Sequence, residues 1–243
     1  MTAFVLAVAG VAMLAVGALL LRRTGSAYRV ARLLAVAPQV ELGEIAALAD
    51  AGPDRRWYVR THGRISSDED FPDELNRPLV FRRRRLERAD GRGAWHVLDE
   101  ERLAVPFGIE DRQSFVAVDV DALGDGLVVV PRESAGTAAE LPPEITDPLP
   151  ERLDPTTPVR LRIDQVSAVE HATVCGVPDH GPDGGPRLTA GLGRPLILSV
   201  VEPDAAMRLL AAGRRGTVLL AGACLVCGLG LVALALVALL LGA

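Results

Sequence analysis

The stretch AFVLAVAGVAMLAVGALLL at residues 3–21 decides the fold class, because it contains no ionisable side chain. A second uncharged apolar run, TVLLAGACLVCGLGLVALALVALLLGA, fills residues 217–243. As helices rising about 1.5 Å per residue, the two runs would span about 28 Å and about 40 Å, against a hydrocarbon core of about 30 Å. The sequence therefore predicts a membrane protein with transmembrane helices at 3–21 and 217–241, and it excludes a soluble monomer.

Arginines flank both apolar runs on the side of the intervening chain. Arg22 and Arg23 follow the first run, and Arg214 and Arg215 precede the second. Because basic residues mark cytoplasmic loops, we expect the N- and C-termini outside and the central segment in the cytoplasm. The charges follow the first run rather than precede it, which favours an uncleaved span over a secretory signal. We therefore predict a multi-pass protein of the cell membrane.

The segment between the runs changes its periodicity once. Residues 26–51 carry apolar side chains at helical steps and are followed by Gly52 and Pro53, which predicts a juxtamembrane helix. From residue 54 to 202 the period is two, with Gly, Asp and Pro turns between short runs. The runs predicted as strands are 57–65, 79–86, 94–98, 114–120, 127–130, 159–163, 167–177 and 195–201. We expect a mostly antiparallel β domain of α+β class, a barrel or a sandwich. A short helix with a basic flank at 203–215 leads into the second span.

The composition excludes some partners and some chemistry. All 31 acidic residues lie between the two runs, and the net charge is -5. The chain therefore lacks the basic surface that nucleic acids require. All 26 basic residues are arginine, which together with the abundance of Ala, Gly, Pro and Asp is typical of a GC-rich prokaryotic genome. Without lysine, the chain has no side-chain amine for Schiff-base or Walker-type phosphate chemistry.

The most conspicuous local feature is the arginine run FRRRRL at residues 81–86. On a strand, Arg82 and Arg84 face one side, and Arg83 and Arg85 face the other. One interpretation is a charged edge strand that resists aggregation. The other is attraction to anionic lipid headgroups, which stabilise each nearby basic residue by about 1 kcal/mol. We take these four arginines as the candidate headgroup-binding site.

No other constellation predicts a metal, a cofactor or a catalytic residue. His171, Cys175 and His180 come nearest to a metal-ligand set, but no fourth ligand accompanies them. Cys224 and Cys227, one helical turn apart in the second run, are interpreted as small packing residues, with a redox or metal pair as the alternative. The chain contains no GxSxG, GxGxxG or GxxxxGK[ST] motif.

Small residues recur at every seventh position in both apolar runs. Such stripes suit left-handed helix packing, and small residues let two backbones approach closely. We therefore predict that the two spans form an antiparallel pair. The predicted contact residues are Ala3, Gly10 and Gly17 in the first run and Gly216, Ala223 and Gly230 in the second.

Five short motifs follow the first run in a fixed order. They are VRTHGRI with Gly63, LVFRRRRLER at 79–88, Trp95, PFGIED at 106–111, and VVVP at 128–131. In this order, between two spans, they resemble the GIDE (BAM) domain family of membrane-anchored, mitochondrial-type RING E3 ubiquitin ligases and their prokaryotic relatives. The resemblance covers most of the chain.

The resemblance implies RING-type E3 ubiquitin transferase activity. A RING holds two zinc ions with eight Cys or His side chains, whereas this chain has 3 Cys and 4 His. We therefore expect a prokaryotic member without the RING, whose cytoplasmic domain is a non-catalytic module that binds a lipid or an unknown protein partner. The alternative is a ubiquitin-transferase component that acts with a separate RING subunit.

Overall fold

The computed structural model describes residues 2–52, 56–90, 94–124, 126–142, 145, 153–202, 205–206, 208 and 215–240. The chain divides into two compact units, one of Met1–Val36 with Pro203–Ala243 and one of Ala37–Glu202. The helices are α1 Thr2–Val36, α2 Glu44–Asp50 and α3 Arg215–Leu240. The strands are β1 Val59–Ser66, β2 Phe71–Pro72, β3 Pro78–Ala89, β4 Trp95–Ala104, β5 Gly108–Asp111, β6 Ser114–Val118, β7 Leu127–Val128, β8 Arg132–Thr137, β9 Pro158–Ser167, β10 His171–His180, β11 Pro186–Thr189 and β12 Ile197–Ser199. Two apolar helices thus flank a strand-rich unit, as predicted.

The two apolar helices, α1 and α3, pack against each other. A Cβ atom at Gly10 would lie 2.7 Å from Val232 Cγ2 and 2.9 Å from the Gly228 carbonyl oxygen. A Cβ atom at Gly17 would lie 3.1 Å from the carbonyl oxygen of Ala221. The partners on α3 move backwards along the chain as α1 advances, so the pair is antiparallel. This arrangement and the roles of Gly10 and Gly17 were predicted correctly.

The predicted contact residues Ala223 and Gly230 on α3 were wrong. Ala223 is exposed, and nothing outside its own helix lies within 4 Å of a Cβ atom at Gly230. Among the positions of α3 whose burial is described, the buried ones are Ala221, Cys224, Gly228 and Ala235. α3 carries two small-residue series two positions apart, and only packing against α1 distinguishes them. The predicted contacts of Ala3 and Gly216 fall at positions whose burial lies outside the described part of the structure.

The first helix is longer than the sequence indicated. α1 continues past the predicted end of the first span to Val36, and α2 covers Glu44–Asp50, so the one helix predicted at 26–51 is instead two, of which the first is continuous with the span. Gly25 costs a helix only about 1 kcal/mol, which the surrounding helix formers offset. The helix ends two residues before Pro38, because proline disfavours the helical conformation of the residue that precedes it.

The predicted helix at 203–215 lies mostly outside the described residues.

The core of the unit Ala37–Glu202 is a closed barrel of five strands. The order around the barrel is β1, β5, β6, β11 and β10, and β10 pairs with β1 to close it. All contacts are antiparallel except the parallel one between β6 and β11. A five-stranded Greek-key barrel is also the architecture of OB-folds. Its inward side chains form the main core, with Ile65, Ile109, Val174 and Leu188 fully buried. β12 and β7 extend the sheet from β10.

A second sheet contains the arginine run. Its order is β8, β9, β3, with β4 and β2 both pairing along β3. β3 therefore lies between two strands over most of its length, and the edge-strand interpretation of the arginine run is wrong. At one end of this sheet Leu86, Ala138, Ile145 and Val159 form a second, smaller core.

Candidate functional site

The arginine run is organised by one buried carboxylate on the neighbouring strand. Asp164 on β9 lies opposite Arg83 in the strand register. Its Oδ2 atom accepts hydrogen bonds from Arg83 Nη2 at 3.0 Å and from Arg85 Nη2 at 2.8 Å. Its Oδ1 atom lies 3.3 Å from Arg162 Nε. Three guanidinium groups therefore converge on one carboxylate whose side chain is only 2% exposed.

This cluster carries more positive than negative charge and is largely shielded from water. The side chains of Arg83 and Arg85 are 12% and 20% exposed. Arg83 also donates to the Gly124 carbonyl oxygen, and the buried Nε atom of Arg85 has no hydrogen-bond partner. Because guanidinium groups out of water need a counter-charge, Asp164 is the residue that lets this pair of arginines lie inside the fold.

The other two arginines of the run lie on the opposite face of β3. Arg84 forms an ion pair of 2.8 Å with Glu101 on β4. The guanidinium carbon of Arg82 lies 5.9 Å from the centre of the Phe71 ring. Headgroup binding by Arg82, Arg83, Arg84 and Arg85 stays a prediction, and a headgroup would have to compete with the carboxylates that three of them already contact.

The histidine and cysteine candidates for a metal site are spread along one strand. His171 begins β10 and His180 ends it, which at about 3.3 Å per residue places them about 30 Å apart. Cys175 is fully buried in the strand between them. Among the residues that the structure describes, no group of three or more His, Cys, Asp or Glu side chains could hold a metal ion.

Burial also determines the chemistry of Cys175. Desolvation raises the pKa of the Cys175 thiol from 9.0 to about 12. Since the thiolate is the reactive form, we expect native Cys175 to react with an aromatic disulfide reagent at pH 8 at least about 100-fold more slowly than an unfolded thiol. The measurement uses the full chain with Cys224→Ala and Cys227→Ala, and the same protein in guanidinium is the control. A native rate equal to the denatured rate would contradict the burial.

Two depressions lie on either side of the β5–β6 turn. The first has a volume of about 700 Å³ and the second about 950 Å³. Both are lined by His62, Asp111, Arg112, Gln113 and Ser114. The first also reaches Arg64, Glu110, Phe115 and His171, and the second reaches residues 39–44. The turn is thus the wall between two polar concavities of the size that small ligands occupy.

The sequence interpretation missed this turn as a site. The available signal was the alternation in VRTHGRI, which places His62 and Arg64 on the outward face of β1. Gly63 between them is required by close approach, because a Cβ atom there would lie 2.7 Å from the Glu110 carbonyl oxygen and 2.9 Å from Leu42 Cδ1. The absence of that Cβ atom lets β5, and with it the charged turn, lie against β1.

A third depression of about 670 Å³ lies beside the β10–β11 turn. Arg187, one of its charged lining residues, forms long ion pairs, at 3.7 Å to Asp119 and 3.9 Å to Asp179. The buried Nε atom of Arg187 has no hydrogen-bond partner. Asp119 instead accepts a hydrogen bond of 2.6 Å from the Thr189 hydroxyl.

No protein-family model, curated protein or solved structure matches this chain. The GIDE-like identity therefore stays a prediction that rests on the five sequence motifs. Two of these motifs are neighbours in the fold, because VRTHGRI lies on β1 and PFGIED leads into β5, which pairs with β1. Phe107 and Ile109 of the second motif are buried in the barrel core.

Proposed function

We propose that the chain is an integral membrane protein with two spans, and that its β unit is a cytoplasmic, GIDE-like, non-catalytic module that binds a lipid or protein partner. The membrane part of this proposal is supported by the outward surface of the α1–α3 pair. Phe4 is 75% exposed and Leu219 is 74% exposed. Leaving such a side chain in water costs about 1.5–3 kcal/mol, and both helices display many of them. A hydrocarbon solvent removes this cost.

The length and composition of the two apolar segments also agree with a hydrocarbon environment. The segments Phe4–Leu21 and Leu219–Leu239 have mean hydropathy values of 2.7 and 2.6, and both are long and apolar enough to cross a membrane. The arginines between the two segments support the proposed orientation, with the β unit in the cytoplasm.

The binding role is carried by one observation, the pair of polar depressions that share the β5–β6 turn. They lie on the closed barrel, and most of their lining residues are outside its buried core. Five-stranded Greek-key barrels commonly bind their ligands at surface sites, a similarity at the level of the fold that supports a binding module.

The orientation is tested with single cysteines in a chain that otherwise lacks them. Thr2→Cys is expected to react with a membrane-impermeant maleimide on intact cells. Ser134→Cys, at an exposed position of β8, is expected to react only after the cells are permeabilised. Each variant is its own control through the permeabilised sample. Labelling of Ser134→Cys on intact cells would place the β unit outside and overturn the proposed orientation. Release of the protein by alkaline carbonate would overturn membrane insertion.

A further inference from the structure

The depression beside β1 brings charges of both signs to one place on the outward face of the barrel. Arg64 is the registered partner of Glu110 on β5 and of His171 on β10, so it lies between them across three strands. The β5–β6 turn adds Asp111 and Arg112 to the rim of the same depression. Two guanidinium groups and two carboxylates therefore surround a space of about 700 Å³.

These charges do not neutralise one another directly. Within the part of the chain that the structure describes, Arg64, Arg112, Glu110 and Asp111 form no ion pair with one another or with any other side chain. The contrast is with Arg83 and Arg85, which both contact Asp164. Side chains that line one concavity and remain unpaired are available to a ligand that carries both charges.

An aromatic ring completes the wall of the depression. Phe115 is 49% exposed, and its Cζ atom would lie 2.5 Å from a Cβ atom at Gly108. The missing Cβ atom at Gly108 thus lets the Phe115 ring lie close over β5, the strand that carries Glu110. An exposed aromatic face attracts ammonium groups by about 0.5–1 kcal/mol.

We propose that this depression binds a phosphoethanolamine group, the zwitterion found in a phospholipid headgroup and in free phosphoamines. Arg64 and Arg112 bind the phosphate, because planar guanidinium groups match phosphate oxygens in pairs. Glu110 and Asp111 bind the ammonium group beside Phe115. An anion alone would leave both carboxylates unpaired next to it, so the site favours the zwitterion. The inference deepens the proposed function by naming the chemistry of the ligand.

The direct test is calorimetric titration of the full chain, purified in amphipol without lipid. Phosphoethanolamine is the probe, and inorganic phosphate and ethanolamine are titrated separately. We expect phosphoethanolamine to bind at least about tenfold more tightly than either half, because loss of one charge-assisted contact costs about 1.4 kcal/mol. Equal binding of inorganic phosphate, or no binding of phosphoethanolamine, would overturn the proposal.

Charge-neutral variants assign the two halves of the ligand. Arg64→Gln with Arg112→Gln should weaken phosphoethanolamine binding at least about tenfold. Glu110→Gln with Asp111→Asn should also weaken it, while inorganic phosphate binds as well as before or better. Arg132→Gln, at an exposed arginine on β8, is the matched control and should change nothing. A loss of affinity in the control equal to that in the double arginine variant would overturn the assignment, and thermal melts of each variant verify folding.

Nanodiscs distinguish the source of the ligand. If the headgroup is the ligand, phosphatidylethanolamine nanodiscs should suppress binding of added phosphoethanolamine, and phosphatidylglycerol nanodiscs should not. If the ligand is a free phosphoamine, neither lipid should compete, and the site still recognises the phosphoethanolamine group. If phosphatidylglycerol nanodiscs alone suppress the binding of phosphoethanolamine, the proposed phosphoethanolamine site is wrong. The amphipol titration does not depend on topology, so its failure is distinct from a failure of the thiol-labelling experiment.

Discussion

Replacing Asp164 by Asn is expected to lower the free energy of unfolding of the β unit by about 3–5 kcal/mol, because it leaves buried guanidinium groups without a counter-charge. Asp164 is almost fully buried and contacts Arg83, Arg85 and Arg162. Arg85 already has one unpartnered nitrogen, so no spare acceptor lies beside it. Domains of this kind are typically stable by about 5–15 kcal/mol, and the loss would be a large fraction of the total.

The measurement is denaturant unfolding of the full chain in detergent, followed by tryptophan fluorescence. Trp95 is a suitable reporter, because the guanidinium carbon of Arg160 lies 4.6 Å from the centre of its ring within the same sheet. Glu133→Gln is the matched control, since Glu133 is exposed and its ion pair with Arg162 is 3.5 Å long. We expect the control to lose less than about 1 kcal/mol.

A triple variant separates charge imbalance from loss of packing. Arg83→Met, Arg85→Met and Asp164→Leu together replace the charges by apolar side chains of similar length. Buried ion clusters replaced in this way are commonly neutral or more stable, so most of the stability lost in Asp164→Asn should return. If Asp164→Asn instead unfolds within about 1 kcal/mol of the wild type, the carboxylate is not the counter-charge of the arginines.

The arginine run shows where inference from sequence ended. Its alternation on a strand was evident, and the strand itself was predicted at 79–86. Its partner was not, because Asp164 is 81 residues from Arg83 along the chain. Only the pairing of β3 with β9 brings them together, and pairing is a property of the whole sheet. The run therefore resembled a surface feature although two of its members are shielded.

The strands show the same difference: those with a clear local sequence pattern were predicted, and those that depend on pairing with neighbours were not. Each of the eight predicted strand regions overlaps a strand of the structure. The strands β2, β5, β8 and β11 were not predicted, because they are short or polar. β8, with the sequence RESAGT, has no large apolar residue, and it is a strand because it pairs with β9. β11 begins at Pro186 after a Gly/Pro-rich turn and is held by β10 and β6. Strand preference depends on neighbours in this way.

The candidate site was less predictable than the fold. The depression needs β1, β10 and the β5–β6 turn together, and the sequence predicted β1 and β10 but neither β5 nor its pairing with β1. Gly63 and Gly108 are informative in retrospect, since each marks a place where a neighbouring group occupies the volume of a Cβ atom. From sequence alone, a glycine in a strand indicates close approach but does not identify the approaching group.

Replacing Gly228 by Ile is expected to separate α1 from α3, whereas Gly230→Ile should leave the pair intact. A Cβ atom at Gly228 would lie 2.9 Å from Leu14 Cγ and 3.0 Å from the Gly10 carbonyl oxygen. The Gly10 backbone cannot yield without moving α1, so the larger side chain costs at least about 1–3 kcal/mol. At Gly230 a Cβ atom meets nothing outside its own helix within 4 Å, and the same substitution adds only apolar surface.

Both substitutions add an identical side chain to the same helix two positions apart, so hydropathy and helix propensity are matched. Spin labels at Phe4→Cys and Leu239→Cys, in a chain without other cysteines, measure the separation of the helix ends. Both positions are exposed, and antiparallel pairing brings them to the same side. We expect one short distance in the wild type and in Gly230→Ile, and a longer, broader distribution in Gly228→Ile with a lower melting temperature in detergent. If Gly230→Ile disrupts the pair as much as Gly228→Ile does, then α3 presents its other small-residue series to α1, and the packing register described above is incorrect.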